Sequence, residues 1–286
     1  MARINYVLCA PRAYFSITLQ KIGCSLAPLR AGGAKPREHV MKKILIIGAT
    51  SGLGRGIAET YIRRGCYVGV MGRRQALLDE LVAMGEGRVK AAVCDVTAED
   101  AVARVEALVR EMGGVDCLVL SSGVGRQNPA LDYALERPTL LTNVVGWTAI
   151  VDWAYLYFLQ QGHGHLAAIS SIAALRGLAP APAYSATKAF QAHYLEALRQ
   201  RAKASRLPLY ITDIRPGFVD TPLLNDPKQF FWVLQADKAV RAIVRAIDRR
   251  KGVATITRRW ALLAPFMKAA PEWLLVKVLG GSRSKK

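Results

Sequence analysis

Tyr184 and Lys188 stand four residues apart in Tyr184-Ser185-Ala186-Thr187-Lys188, inside a pattern that predicts a helix from Pro182 to about Ser205. At that spacing a phenol and an ammonium share one helix face and can reach a common ligand. A phenol ionises near pH ~10 and is a poor acid or base at neutrality, but a fixed cation beside it favours the phenolate. The pair is therefore a candidate proton-transfer device. The same spacing also occurs on ordinary solvated helix faces, so the surrounding elements decide between the two readings.

Those elements form a regular alternation of strands and helices. Ile44-Leu45-Ile46-Ile47 reads as a strand buried on both faces. It runs into Gly48-Ala49-Thr50-Ser51-Gly52-Leu53-Gly54 and then a helical stretch from Arg55 to Arg64. A strand, a glycine-rich turn and a helix in that order make a phosphate cradle, in which backbone amides approach a pyrophosphate and the helix N-terminus adds partial positive charge. The next strand, Tyr67 to Met71, ends in Gly72-Arg73-Arg74, where a ribose-reading carboxylate would otherwise stand. Two arginines there would welcome a 2′-phosphate, which makes NADP the expected cofactor and NAD the lesser one.

Beyond it come a helix from Gln75 to Met84, a strand from Val89 to Cys94 that leads to Asp95-Val96, and a helix from Ala98 to Met112. A strand from Asp116 to Leu120 stops at Ser121-Ser122-Gly123, a small-residue edge suited to a flat adenosine or ribose. One long helix is predicted from Pro138 to Gln161, with Asn143 on it. A strand from His165 to Ile169 delivers Ser170 and Ser171 at its C-terminal end, where open α/β sheets place ligands. A strand from Leu209 to Ile214 leads into Arg215-Pro216-Gly217-Phe218-Val219-Asp220-Thr221, and a helix from Asp237 to Arg250 and a strand from Val253 to Thr257 close the pattern. Seven strands and six crossovers predict a doubly wound parallel sheet of the α/β class in a single domain.

Composition removes several other classes. The formal charge of +19 is concentrated at the ends, with +5 over residues 1–40 and +10 over residues 237–286, so the body is not a basic nucleic-acid reader. No apolar run reaches the ~18–20 residues of a spanning helix. The five cysteines show no paired spacing, so buried thiols in a reducing, cytoplasmic setting outweigh disulfides, and no metal site is expected. Residues 1–40 have no clear periodicity, and we favour Met41 as the functional start over a cleaved presequence or a disordered tail. Residues 41–257 form the expected nucleotide-binding domain. Residues 258–286 hold short apolar segments with Trp260 and Trp273, broken by prolines and flanked by cations. Such a tail could lie peripherally on a membrane or pack over the active site or a neighbouring subunit, and we weigh these evenly.

With its pieces in order, the chain resembles the short-chain dehydrogenase/reductase family over about Lys42 to Thr257. Gly48, Gly52 and Gly54 match the glycine pattern, Asp95 the adenine-contacting acid and Asn143 the proton-relay asparagine. Ser171 lies thirteen residues before Tyr184, and Tyr184 with Lys188 matches the active-site pair. Pro216, Gly217, Val219 and Thr221 match the segment that contacts the nicotinamide. Two departures stand out: Ile47 replaces the hydroxyl residue before the first glycine, and Leu120-Ser121-Ser122-Gly123 replaces the usual Asn-Asn-Ala-Gly.

The resemblance implies hydride transfer between a nicotinamide and a small-molecule carbonyl or alcohol, in a homodimer or homotetramer built through the Tyr184 helix. It assigns Tyr184 as proton donor and Ser171 as hydrogen-bond donor to the same oxygen. Lys188 would lower the Tyr184 pKa and hold the ribose, and Asn143 would anchor a water linking Lys188 to solvent. Phe230-Phe231-Trp232, where the family carries a substrate lid, favour a bulky apolar substrate. A catalytically silent NADP(H)-binding sensor and a membrane-surface scaffold are the competing functions.

Overall fold

The computed structural model describes residues 43–224 and 232–279. The expectations for residues 1–40 and for Phe230 and Phe231 lie outside these residues. Ile44, Leu45, Ile46 and Ile47 are each 0% exposed in β1 (Lys43–Ile47), because a central parallel strand has helices on both faces. β2 (Tyr67–Gly72) pairs with it in parallel from Lys43 opposite Tyr67 to Ile47 opposite Met71. On its other side lies β4 (Cys117–Leu120), from Ile44 opposite Cys117 to Ile47 opposite Leu120. With β3 (Val89–Val93), β5 (Gly164–Ile169), β6 (Leu209–Pro216) and β7 (Val253–Ile256) they form one seven-stranded sheet in the order β3-β2-β1-β4-β5-β6-β7. All six pairings are parallel. The winding direction reverses between β1 and β4, which opens a crevice at the carboxyl ends of those strands.

Strand alternation sends Ile44, Ile46, Ala167 and Ile214 into one core with Ile57, Ala58 and Tyr61 of α1 (Gly52–Arg63), and with Leu78 and Leu81 of α2 (Gln75–Ala83). Leu45, Ile47, Leu118 and Leu166 face the opposite core with Val105 and Leu108 of α3 (Ala101–Glu111). Helices α1 and α3 differ from the expected spans: α1 starts at Gly52, inside the glycine turn, and α3 starts only at Ala101.

The predicted single helix from Pro138 to Gln161 is three pieces. Helix α4 (Tyr133–Leu140) starts at Asp132, whose side chain accepts from Ala134 N, and carries Pro138 inside it. A π-helical segment follows over Leu141–Gly146, and α5 (Trp147–Gln161) completes the run. The widened turn has Asn143 at its middle, a placement that 3.6-residue periodicity does not foresee. Helix α6 (Pro182–Ser205) packs on β6 and on the turn that follows β5, with α7 (Ala236–Asp248) between β6 and β7 in sequence. After β7 the tail is helical too, as α8 (Arg258–Ala269) and α9 (Glu272–Leu279). No helix among the described residues is long and apolar enough to cross a membrane.

Candidate active site

The glycine turn is seated by β2, since the backbone amides of Gly48 and Ala49 both donate to Met71 O, at 2.8 and 2.9 Å. Gly48 has a φ of +89°, and a Cβ there would sit 2.6 Å from Ser122 N. A Cβ on Gly54 would sit 2.1 Å from Gly48 O, so the helix start and the turn meet backbone to backbone. Ser51, the residue before α1, makes no side-chain cap. The dipole and the first-turn amides are thus left for an anion, which is how a pyrophosphate would be held. Thr221 closes over this end, its Cβ 3.5 Å from where Gly52 would carry one.

At the adjoining corner Arg74 donates from Nη2 to the Thr50 carbonyl and to Thr50 Oγ1, both at 2.9 Å. Its guanidinium therefore braces the glycine turn. Arg73 points outward with its side chain 70% exposed and Nη1 3.9 Å from Asp95 Oδ2. Asp95 accepts from Thr97 N at 2.9 Å and from Thr97 Oγ1 at 2.8 Å. Burial alone would raise its carboxyl pKa; the Thr97 bonds and the Arg73 charge outweigh that and hold it below the usual value. Val96 turns inward into the core, 6% exposed, so only its backbone can face a ligand.

The third group lies at the ends of β4 and β5. Ser171 caps a short 3₁₀ turn (Ile172–Leu175), accepting from Ala173 N at 3.1 Å, which leaves its proton to be donated to the Tyr184 oxygen. Lys188 Nζ lies 5.8 Å from the centre of the Tyr184 ring. It donates to the Ile169 carbonyl at 3.0 Å and to Gln191 Oε1 at 2.9 Å. Asn143, fully buried, clamps the loop after β4: its Oδ1 accepts from Val124 N at 2.9 Å and its Nδ2 donates to Val124 O at 2.7 Å. The same Nδ2 reaches Thr187 Oγ1 at 3.1 Å. A Cβ on Gly123 would fall 3.2 Å from Lys188 Nζ, which brings the β4 edge against the ammonium.

One expectation about this group is corrected. Burial pushes the Tyr184 phenol up from its ordinary value, the Ser171 hydrogen bond opposing it, instead of Lys188 pulling it down. The reason is geometric: the ammonium is turned to Ile169 and Gln191, and it is itself buried at 3% exposure. Desolvation brings Lys188 down to about 8, with Asp213 opposing the fall. The Asn143 backbone carbonyl accepts from Gln191 Nε2 at 2.8 Å, so an amide side chain links it to Lys188.

The remaining predicted residues, Pro216, Gly217 and Val219, follow directly from β6. Val219 pairs with Leu234, and Asp220 N donates to Leu234 O at 2.9 Å, tying this segment to the chain entering α7. Trp260 of α8, 2% exposed, packs on it edge-on: a Cβ at Gly217 would sit 2.1 Å from Trp260 Nε1, and the Phe218 ring is 5.7 Å away. Trp232 adds a second edge contact to Trp260 at 5.5 Å. Of the two arrangements weighed for the tail, the inner face of α8 takes the packed one. Leu262 and Phe266 of α8 and Trp273 of α9 remain 73%, 72% and 67% exposed, which leaves an apolar surface open on both helices.

Four contributors had no mark in the motif reading. Gly125 abuts the Tyr184 ring, Thr187 and Val124 complete the Asn143 clamp, and Gln191 holds Lys188. Only Gln191 carried a usable signal, since it lies three residues after Lys188 on the same helix face. Among the described residues no group of histidine, cysteine or acidic side chains could hold a metal ion. The narrow passages at Gly48, Gly54 and Gly123, the uncapped start of α1 and the basic corner do fit a dinucleotide.

Comparison with known proteins agrees. The short chain dehydrogenase family model matches residues 42–230. An uncharacterized oxidoreductase of Myxococcus xanthus is 38% identical over 238 residues, covering 80% of this chain and 91% of that protein. One from Mycobacterium tuberculosis is 32% identical over 243 residues, covering 82% and 95%. The fold is shared with a short-chain dehydrogenase from Sphingobium yanoikuyae solved in complex with NADPH, at a TM-score of 0.70 and 23% identity, covering 86% of this chain and 98% of that one. By matched length and by identity, the chain belongs to the short-chain dehydrogenase/reductase family of oxidoreductases.

Proposed function

We propose that this protein is an NADP(H)-dependent oxidoreductase that interconverts a carbonyl and an alcohol on a bulky apolar small molecule. The observation that carries the reading is the convergence of Ser171, Tyr184 and Lys188 beside the β4 edge at Gly123. When bound, the nicotinamide supplies or accepts the hydride. In reduction, Tyr184 would give its proton to the substrate oxygen, and Ser171 would donate a hydrogen bond to that oxygen. Because the phenol's pKa is raised by burial, Tyr184 holds its proton at neutral pH, the state an acid needs. Lys188 would bind the ribose hydroxyls, and Gly48, Thr50, Ser51, Gly52, Leu53 and Gly54 would wrap the pyrophosphate. Asp95, Val96, Ser122 and Gly123 would line the adenosine side, and Pro216, Gly217, Val219 and Thr221 the nicotinamide side.

The exposed Arg73 and the turn-bracing Arg74 support NADP over NAD, with no acidic side chain at the end of β2 to claim a free ribose hydroxyl. Phe218, Trp232 and Trp260, clustered over the nicotinamide segment, support an apolar substrate. We infer a homodimer or homotetramer from exposed Val145, Ala149 and Leu156 on the α5 run and Ala186, Phe190 and Ala197 on α6. The exposed apolar faces of α8 and α9, flanked by Arg258, Arg259, Lys268 and Lys277, support peripheral contact with an anionic membrane. An NADPH-oxidation screen across ketosteroids, aliphatic and aromatic ketones, 3-oxoacyl thioesters and sugars tests the central reading. Consumption with an apolar ketone is expected; NADPH binding without consumption by any carbonyl would favour the silent sensor.

A further inference from the structure

Gln191 is 0% exposed, and both ends of its amide are engaged inside the protein. Its Oε1 takes a hydrogen from Lys188 Nζ at 2.9 Å, while its Nε2 gives one to the Asn143 carbonyl at 2.8 Å. Only one orientation of the amide satisfies an ammonium on one side and a carbonyl on the other, so the partners themselves fix it. An ammonium has three donors. Ile169 O and Gln191 Oε1 take two of them, and the third remains on a nitrogen that lies 3.2 Å from where a Cβ on Gly123 would sit.

Resting on the oxidoreductase reading above, we propose that Gln191 is the positioning residue for Lys188: tied to the Asn143 backbone at one end, it holds the ammonium in line with the cofactor ribose at the other.

The groups around Lys188 are few. On α6 Tyr184 is the titratable neighbour, and Asp213 of β6 is the charged one, itself paired with Arg215 Nη2 at 2.6 Å. Ser170, Ser171 and Asn143 on the remaining elements carry no charge at neutral pH. An oxygen accepting from the ammonium favours the protonated form, so a change at Gln191 must move the Lys188 titration in a known direction.

The experiment compares wild type, Gln191→Leu and Gln191→Glu. Lys188 is titrated in the cofactor-free protein by ¹⁵N-lysine NMR, and the alkaline limb of kcat/KM for NADPH-dependent reduction is measured on the same samples. Leu removes an acceptor and should shift Lys188 and the limb toward lower pH by about one pH unit; Glu should shift both the other way by a similar amount. KM for NADPH should rise in the Leu variant more than kcat falls. Equal Lys188 titrations in all three proteins, with only the melting temperature lowered, would overturn the proposal and leave Gln191 a packing residue. The NMR titration reads this even where no carbonyl is turned over, so failure of the oxidoreductase reading shows separately, as absent NADPH consumption by wild type.

Discussion

The ring of Tyr184 rests directly on Gly125: a Cβ at that glycine would lie 2.2 Å from Tyr184 Cδ2 and 2.8 Å from Cε2. The loop after β4 therefore sets the ring's position as firmly as the helix that bears it. Gly125→Ala must displace the ring, and a catalytic group moved by about 1 Å can lose ~100-fold in rate. We expect kcat to fall by about 10- to 100-fold, with NADPH affinity in a fluorescence titration little changed. Unaltered kcat would place the ring's working position elsewhere.

Cofactor choice separates the two arginines. Arg74 braces Thr50 and so supports any dinucleotide, whereas Arg73 is mostly solvent-facing, its acidic neighbour Asp95 held at 3.9 Å, and can turn to a 2′-phosphate. Arg73→Asp should reverse the NADPH/NADH ratio of kcat/KM, by repelling the phosphate and offering a carboxylate to the ribose. Arg74→Ala should weaken both cofactors together. Steady-state kinetics with each cofactor reads both outcomes.

His165 predicts an acid weakness. It is buried, its Nε2 lies 2.7 Å from Thr212 Oγ1, and burial together with the charge of Arg250 depresses its pKa from 6.5 to about 3. The unfolded chain takes up this proton below pH 6.5 while the folded protein refuses it down to about 3. Stability contributed by the neutral imidazole is therefore complete above pH 6.5 and is lost progressively as pH falls toward 3. The urea midpoint should drop from pH 7 to pH 5, and drop less in His165→Asn.

Trp260 couples the tail to the nicotinamide segment through Gly217 and Phe218. Trp260→Ala should cost ~3–5 kcal/mol of stability, the range for a deleted buried aromatic, and raise KM for NADPH. Removing residues 258–286 should reproduce both effects and abolish binding to vesicles containing phosphatidylserine. A double variant Leu262→Ser, Phe266→Ser should lose vesicle binding alone, since both residues are exposed.

The strands and their parallel, doubly wound class were legible because parallel strands covered on both faces must be continuous apolar runs, and Ile44 to Ile47 could hardly be anything else. The glycine turn was legible because its spacing is tied to backbone contacts that exclude a Cβ. The π-helical turn at Asn143 was not, because one inserted residue leaves almost no trace in hydrophobic periodicity. The Tyr184 and Lys188 electrostatics also escaped: a helix face places the pair together, but Ile169 O and the Gln191 amide, which turn the ammonium aside, come from tertiary packing and from a glutamine that the motif does not mark. The tail was ambiguous because tryptophans between prolines and cations suit a membrane surface and a packed helix equally. Trp260 and Trp273 divide between these, one buried and one exposed.

The most direct measurement is NADPH oxidation by Tyr184→Phe against the wild type, with NADPH binding followed on the same samples. The phenyl ring keeps the packing on Gly125 and removes only the hydroxyl that Ser171 contacts. Turnover should fall by at least ~1,000-fold while the dissociation constant for NADPH stays within about twofold. Turnover near the wild-type rate would contradict the account, because the proton would then come from some other group.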